Sequence, residues 1–84
     1  MTYAEFLKTL EADIKKMKKA NFSEDEINIV NTWYSIEYEE PDISTERLIQ
    51  MVCDELDIDY EDVTSTMCKF AELGETNVHS DTKN

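Results

Sequence analysis

Glycine and proline are almost absent from this chain of 84 residues, which contains one of each, Gly74 and Pro41. Sheets and hairpins depend on both residue types, because tight turns need positive φ angles or a fixed φ angle. A chain that lacks them is built from helices with short connections between them. Its length allows one small domain, which buries only about 60% of its unfolded surface. The sequence therefore predicts a single all-α domain.

The first predicted helix carries an apolar stripe with the alternating spacing of four and three residues that is typical of a helix. The stripe consists of Tyr3, Leu7, Leu10, Ile14 and Met17, and Phe6 widens it. Four lysines stand in the last turns, where the helix dipole favours cations. The stripe could be buried within one bundle or could support a dimer. We expect burial within the bundle, and the sequence leaves open a monomer or a homodimer.

Three further helices begin at residues with N-cap chemistry, Ser23, Ser44 and Asp59. Such side chains accept hydrogen bonds from the free backbone N–H groups of a first turn, and Glu26 and Asp62 occupy capping-box positions. Each cap lies between two apolar residues that can form a hydrophobic staple. The predicted helices cover residues 2–20, 23–38, 44–57 and 60–73. The predicted fold is a compact bundle of four short helices in residues 1–74, with a helix stop at Gly74 and a disordered C-terminal tail at 75–84.

The net charge of the chain indicates which classes of molecule it can bind. Twenty acidic residues against eight basic ones give a net charge of −12 and a pI near 4.2. Such a surface repels nucleic acid and anionic membranes and attracts basic proteins. A helix that recognises DNA needs basic and amide side chains, such as Arg, Lys, Asn and Gln. The fourth predicted helix instead begins with Tyr60, Glu61 and Asp62. We therefore expect no direct binding of nucleic acid or of a membrane.

Catalytic, metal and cofactor sites are not indicated by the sequence. The candidate metal ligands Cys53, Cys68 and His79 are too scattered for a closed site, and a calcium loop starting at Asp57 would lack its glycine and its final glutamate. No thiol or hydroxyl stands in a motif with a base. We expect no enzyme activity, no metal and no cofactor.

Two unpaired cysteines, the absence of a secretory leader and the short apolar runs favour a cytoplasmic protein.

The segment 37–62 holds eleven acidic residues and one basic residue, Arg47. Acids three or four positions apart on a helix stand about 5–6 Å apart, a distance near that of phosphates along a nucleic-acid strand. Three of these acids, Asp54, Glu55 and Asp57, fall at the end of the third helix, where the dipole disfavours them. In size, charge and helix content the chain resembles the small acidic DNA-mimic inhibitors that bacteriophages and mobile elements encode.

The resemblance implies a protein that occupies the basic surface of a target, which would be a nucleic-acid-handling protein. The predicted contacts are carboxylates with two aromatic anchors: Glu37, Tyr38, Glu39, Glu40, Asp42, Asp54, Glu55, Asp57, Asp59, Tyr60 and Glu61. The alternative is a helical adaptor or regulatory subunit. It would dock a partner through a second apolar face of helix two, formed by Ile29, Ile36 and Tyr38. Helix two is then either the central helix of the bundle or the one with an exposed face.

Overall fold

Four helices make up the fold. The computed structural model describes the backbone of residues 2–83 and the side chains of residues 2–73. The helices are α1 (Tyr3–Lys19), α2 (Glu24–Glu39), α3 (Thr45–Leu56) and α4 (Tyr60–Lys83), and no strand occurs within the described residues. The predicted all-α fold is confirmed, and the bounds of α1, α2 and α3 lie within one residue of their predicted positions.

The predicted caps form through local hydrogen bonds. The Ser23 hydroxyl accepts from the backbone N–H of Glu26 at 3.1 Å, while the Ser23 N–H donates to Oε1 of Glu26 at 2.8 Å. Ser44 accepts from the N–H of Arg47 at 3.3 Å. The N–H of Asp59 donates to Oδ2 of Asp62 at 3.3 Å, which is one half of the predicted capping box.

The joints before α2 and before α4 share one design. Asn21 and Asp57 both have left-handed backbone, with φ of 64° and 54°. The next residue closes the preceding helix, since the N–H of Phe22 donates to the carbonyl of Met17 at 3.0 Å and that of Ile58 to the carbonyl of Cys53 at 3.2 Å. This is the Schellman pattern, in which a left-handed residue turns the chain and an apolar residue packs back onto the helix. The same apolar residue precedes the next N-cap, so one short segment ends one helix and begins another.

α4 is longer than the sequence predicts. Its helical backbone extends to Lys83, past the stop expected at Gly74. Glycine weakens a helix by about 1 kcal/mol relative to alanine but does not remove a backbone hydrogen bond, so a helix already several turns long can continue through it. The side chains from Gly74 onward, where the disordered tail is predicted, lie outside the described residues.

α2 is the central helix of the bundle. Ile29 belongs to a core cluster with residues of α3 and α4, including Val52 and Val63. Its neighbour Val30 belongs to a second cluster with Met17 of α1 and Phe22. Consecutive residues of a helix point in directions about 100° apart, so α2 is covered on both sides. Of the two possibilities for helix two, the structure shows the central one.

The expectation that the α1 stripe is buried within the bundle is wrong for its first half. Met17 is fully buried, but Tyr3 is 60% exposed and Leu7 41% exposed. Phe6, which lies beside the predicted stripe and widens it, is buried. α1 packs mainly against α2, and one neighbouring helix covers only a narrow strip of another. A strip of apolar surface consequently remains exposed on the N-terminal half of α1.

Candidate protein-binding surface

The structure places the predicted binding residues at the two ends of α3. Glu37, Tyr38, Glu39, Glu40 and Asp42 lie at the joint between α2 and α3, and the rest lie at the joint between α3 and α4. α3 has 12 residues, so at 1.5 Å per residue the two groups are separated by about 18 Å. The predicted strip of acids in segment 37–62 is therefore two separate groups.

The group at the α3–α4 joint is enlarged by residues that the sequence analysis did not select. Residues of the first turn of α2, of the end of α3 and of the first turn of α4 line one groove, so these three helix ends lie together. We call this surface the acidic end. Its members are Glu24, Asp25, Glu26, Asp54, Glu55, Asp57, Asp59, Glu61 and Asp62. All are exposed except Glu26, which is half-buried.

A groove of about 820 Å³ runs across the acidic end. Asp25 and Glu26 of α2 lie on one side, Asp62 of α4 lies on the other, and Ile29 and Ile58 contribute apolar lining. This groove is large enough to receive several side chains of a partner. Asp25 and Glu26 are distant in sequence from the α3–α4 joint. The sequence signal that could have placed them there is the short connection between α2 and α3, because two helices joined by a short loop pack side by side.

A cysteine in this region reports the local electrostatic potential. Burial raises the pKa of the Cys53 thiol, and the carboxylates of Asp54, Asp59 and Asp62 raise it further. Asp54 belongs to α3 and the other two to the beginning of α4, so carboxylates of two helices act on one atom. The acidic end is a region of concentrated negative potential, in which the thiol stays protonated at neutral pH.

One cation stands beside the acidic end. Nζ of Lys69 lies 2.9 Å from Oε2 of Glu26 and 4.4 Å from the centroid of the Phe22 ring. The Ser23 backbone N–H and then Lys69 hold the pKa of Glu26 below its usual range. Within residues 2–73 this is the one ion pair, while these residues contain eighteen carboxylates. The charge of the acidic end is therefore largely available to a partner.

The acids of this surface have two kinds of local environment. Those in the first turns of α2 and α4 are favoured by the helix dipole, and Asp57 adopts the left-handed conformation that Asp and Asn tolerate best among residues with a Cβ. The left-handed backbone is therefore a local reason for an Asp at position 57, although the dipole of α3 disfavours its charge. Asp54 and Glu55 lie in the last turn of α3, which contains no basic residue. Local stability gives no reason for these two carboxylates.

The two predicted aromatic anchors differ in exposure. Tyr60 is 58% exposed at the start of α4, beside Asp59 and Glu61. Tyr38 is half-buried, and its ring stacks on that of Phe6 with centroids 4.4 Å apart. Tyr60 therefore offers its ring at the acidic end, whereas Tyr38 is held by contacts within the chain.

Ligand sites of other kinds are not evident in the described part of the chain. No group of three or more His, Cys, Asp or Glu side chains among these residues could hold a metal ion, and His79 lies outside the described side chains. None of the described helices combines the length and apolar character needed to cross a membrane. Comparison with protein-family models, curated proteins and solved structures gives no match.

Proposed function

We propose that this protein is a non-catalytic inhibitor that occupies the basic, nucleic-acid-binding surface of a target protein as a DNA mimic, of the type that phages and mobile elements encode. The observation that supports it is the acidic end, where carboxylates from the first turns of α2 and α4 line one groove and further exposed carboxylates stand at the end of α3. The proposal places the protein in the cytoplasm, where such a target would handle nucleic acid.

Binding through this surface would use the energetics of DNA itself. A basic cleft attracts the carboxylates of the acidic end by the same long-range electrostatics with which it attracts phosphates, and salt weakens both interactions. The groove gives these side chains room between opposing carboxylates, and Tyr60 adds an apolar contact of the kind that dominates interfaces. Asp54, Glu55 and Glu61 are the residues whose charges we expect to matter most, because they have few other contacts.

A second candidate is an adaptor that binds through apolar surface. Its predicted docking face on α2 is covered, since Ile29 is 5% exposed and Ile36 packs against the same core cluster. The exposed apolar residues lie instead on α1, at Tyr3 and Leu7. An adaptor would therefore dock through α1, and its binding would depend little on salt.

The first test is capture of the target with the protein immobilised, using nuclease-treated bacterial lysate, elution by a salt gradient and identification by mass spectrometry. The captured protein is then titrated with duplex DNA. We expect a nucleic-acid-binding protein that DNA displaces, and an affinity that falls by roughly 10²–10³ between 50 and 200 mM salt if about five charges are neutralised.

Two charge reversals with the same net charge provide the matched control. Asp54→Lys with Glu61→Lys changes the acidic end, whereas Glu39→Lys with Glu40→Lys changes the α2–α3 joint. We expect the first variant to lose the target and the second to retain it. Equal retention by both variants, or a target that DNA cannot displace, would contradict the proposal. Retention at high salt together with loss in Leu7→Glu would favour the adaptor.

A further inference from the structure

A second groove lies between α1 and α2, away from the acidic end. Its volume is about 220 Å³, and its lining includes Phe6, Leu10, Asp13, Tyr34, Glu37 and Tyr38. Sites for drug-sized ligands are usually about 300–1,000 Å³. This groove therefore has the size for a single side chain or a small ion with a short apolar stem.

The walls of the groove are aromatic. The rings of Phe6 and Tyr38 are stacked at 4.4 Å with an interplanar angle of 22°, and that of Tyr3 approaches Tyr38 at 5.8 Å. On the other side the ring of Tyr34 is held edge-on against Phe70 at 6.0 Å. The aromatic rings are thus fixed by contacts within the chain, and aromatic faces attract cations.

The charges that line this groove are both negative. Asp13 of α1 and Glu37 of α2 contribute carboxylates, and no basic residue lines it. Burial raises the pKa of Asp13, an effect that Lys16 partly opposes. Burial, Asp13 and Glu37 together raise the pKa of Tyr34, so the negative potential of both carboxylates reaches the groove wall. Lys16 lines the adjacent groove beside α4 and forms no ion pair with Asp13 within residues 2–73.

We propose that the groove between α1 and α2 receives an arginine side chain of a partner protein, with the guanidinium against the rings of Phe6 and Tyr38 and its N–H groups donating to Asp13 and Glu37. Arginine fits better than lysine because its guanidinium is planar, stacks on aromatic rings, is weakly hydrated and presents five donors. The identity of the partner rests on the proposed function, whereas binding of the side chain itself does not.

The test uses the whole protein and two probes of the same shape. Butylguanidinium carries the charge of the arginine side chain, and butylurea is its neutral analogue. Backbone and side-chain NMR signals are followed as each probe is added. We expect butylguanidinium to shift the signals of Phe6, Leu10, Tyr34 and Tyr38, and butylurea to leave them unchanged at the same concentrations.

Substitutions then test whether the carboxylates of Asp13 and Glu37 bind the guanidinium group. We expect Asp13→Asn and Glu37→Gln each to weaken butylguanidinium binding by roughly tenfold, the loss of about one charge-assisted hydrogen bond. Glu39→Gln, an exposed neighbour outside the groove, should bind as the parent does. Asn at position 13 removes a charge that burial disfavours, so the variant should fold. Equal shifts from both probes, or shifts from butylguanidinium spread evenly over the acidic end, would overturn the proposal. Because no target is present, that failure would leave the DNA competition result standing.

Discussion

At the scale of single residues, the acidic side chains of the acidic end differ in the contacts they make within the chain. Glu26 closes the capping box of α2 and also pairs with Lys69 of α4, so it connects two helices. Asp54 accepts one long contact of 3.5 Å from Gln50 and carries its charge at an unfavourable helix end. We therefore expect substitution of a residue of the first kind to change stability, and substitution of one of the second kind to change the proposed binding.

The pH dependence of stability should show the role of Glu26. Its folded-state pKa lies below the ordinary value of 4.5, so its charged form stabilises the fold above that pH. The contribution is lost as the pH falls through the folded-state pKa. We expect Glu26→Gln to lower the free energy of unfolding by about 0.3–1 kcal/mol at pH 7. In chemical denaturation the difference from the parent should disappear at acidic pH. A difference that is constant with pH would show that the charge of Glu26 does not stabilise the fold.

At the scale of elements, the joints before α2 and α4 explain how a chain with one glycine makes sharp turns. Asn21 and Asp57 take the left-handed position where glycine is usual. The following residues, Phe22 and Ile58, bury their side chains against the two core clusters. The segments between the helices, 20–23 and 57–59, have only four and three residues, and the hydrogen bonds of each joint are local.

We predict that Asp57→Gly stabilises the protein by about 0.5–1 kcal/mol, because glycine has no Cβ to oppose the left-handed conformation. Asp57→Ala should destabilise it by up to about 1 kcal/mol, because alanine keeps the Cβ but loses the short polar side chain that makes the left-handed conformation less costly in Asp. Urea denaturation of both variants measures this pair of changes. Asn21→Gly is the matched control in the other joint and should stabilise as well. Destabilisation by both glycine substitutions would mean that the side chains of Asn21 and Asp57 support the joints more than the backbone angle costs.

At the scale of the whole molecule, the net charge of −12 should have opposite effects on the stability of the fold and on the proposed binding. Like charges repel one another within the compact state, and salt screens this repulsion. The proposed binding to a basic partner would depend on the same charges, and salt would weaken it. We therefore expect the acidic surface to lower the stability of the free protein at low salt.

The thermal midpoint should consequently rise with salt. We expect about 1 kcal/mol of added stability between low and physiological ionic strength, which corresponds to about 4–8 °C for a domain of this size. Differential scanning calorimetry with sodium chloride measures it. Asp54→Lys with Glu61→Lys changes the net charge from −12 to −8, since each reversal adds two charges, and should show a smaller rise. A midpoint that falls with salt would show that ion pairs outweigh repulsion.

The helical fold, the bounds of α1, α2 and α3, the start of α4, the N-caps and the sign of the charge followed from the sequence without knowledge of the packing. The effects of the N-caps and of the break are local, since Ser23, Ser44 and Pro41 act on residues within four or five positions. They can therefore be predicted without knowing which helices pack together. Negative charge is a property of composition and needs no fold.

The tertiary structure alone decided how these elements share surface. It exposed Leu7 on α1, buried Ile29 and Val30 on two sides of the central helix α2, and separated the acids of segment 37–62 into two groups. It also brought Asp25 to the groove beside Asp62 and placed Asp13 opposite Glu37. These relations join residues far apart in the chain. They depend on which helix faces pack together, which periodicity along one helix does not specify.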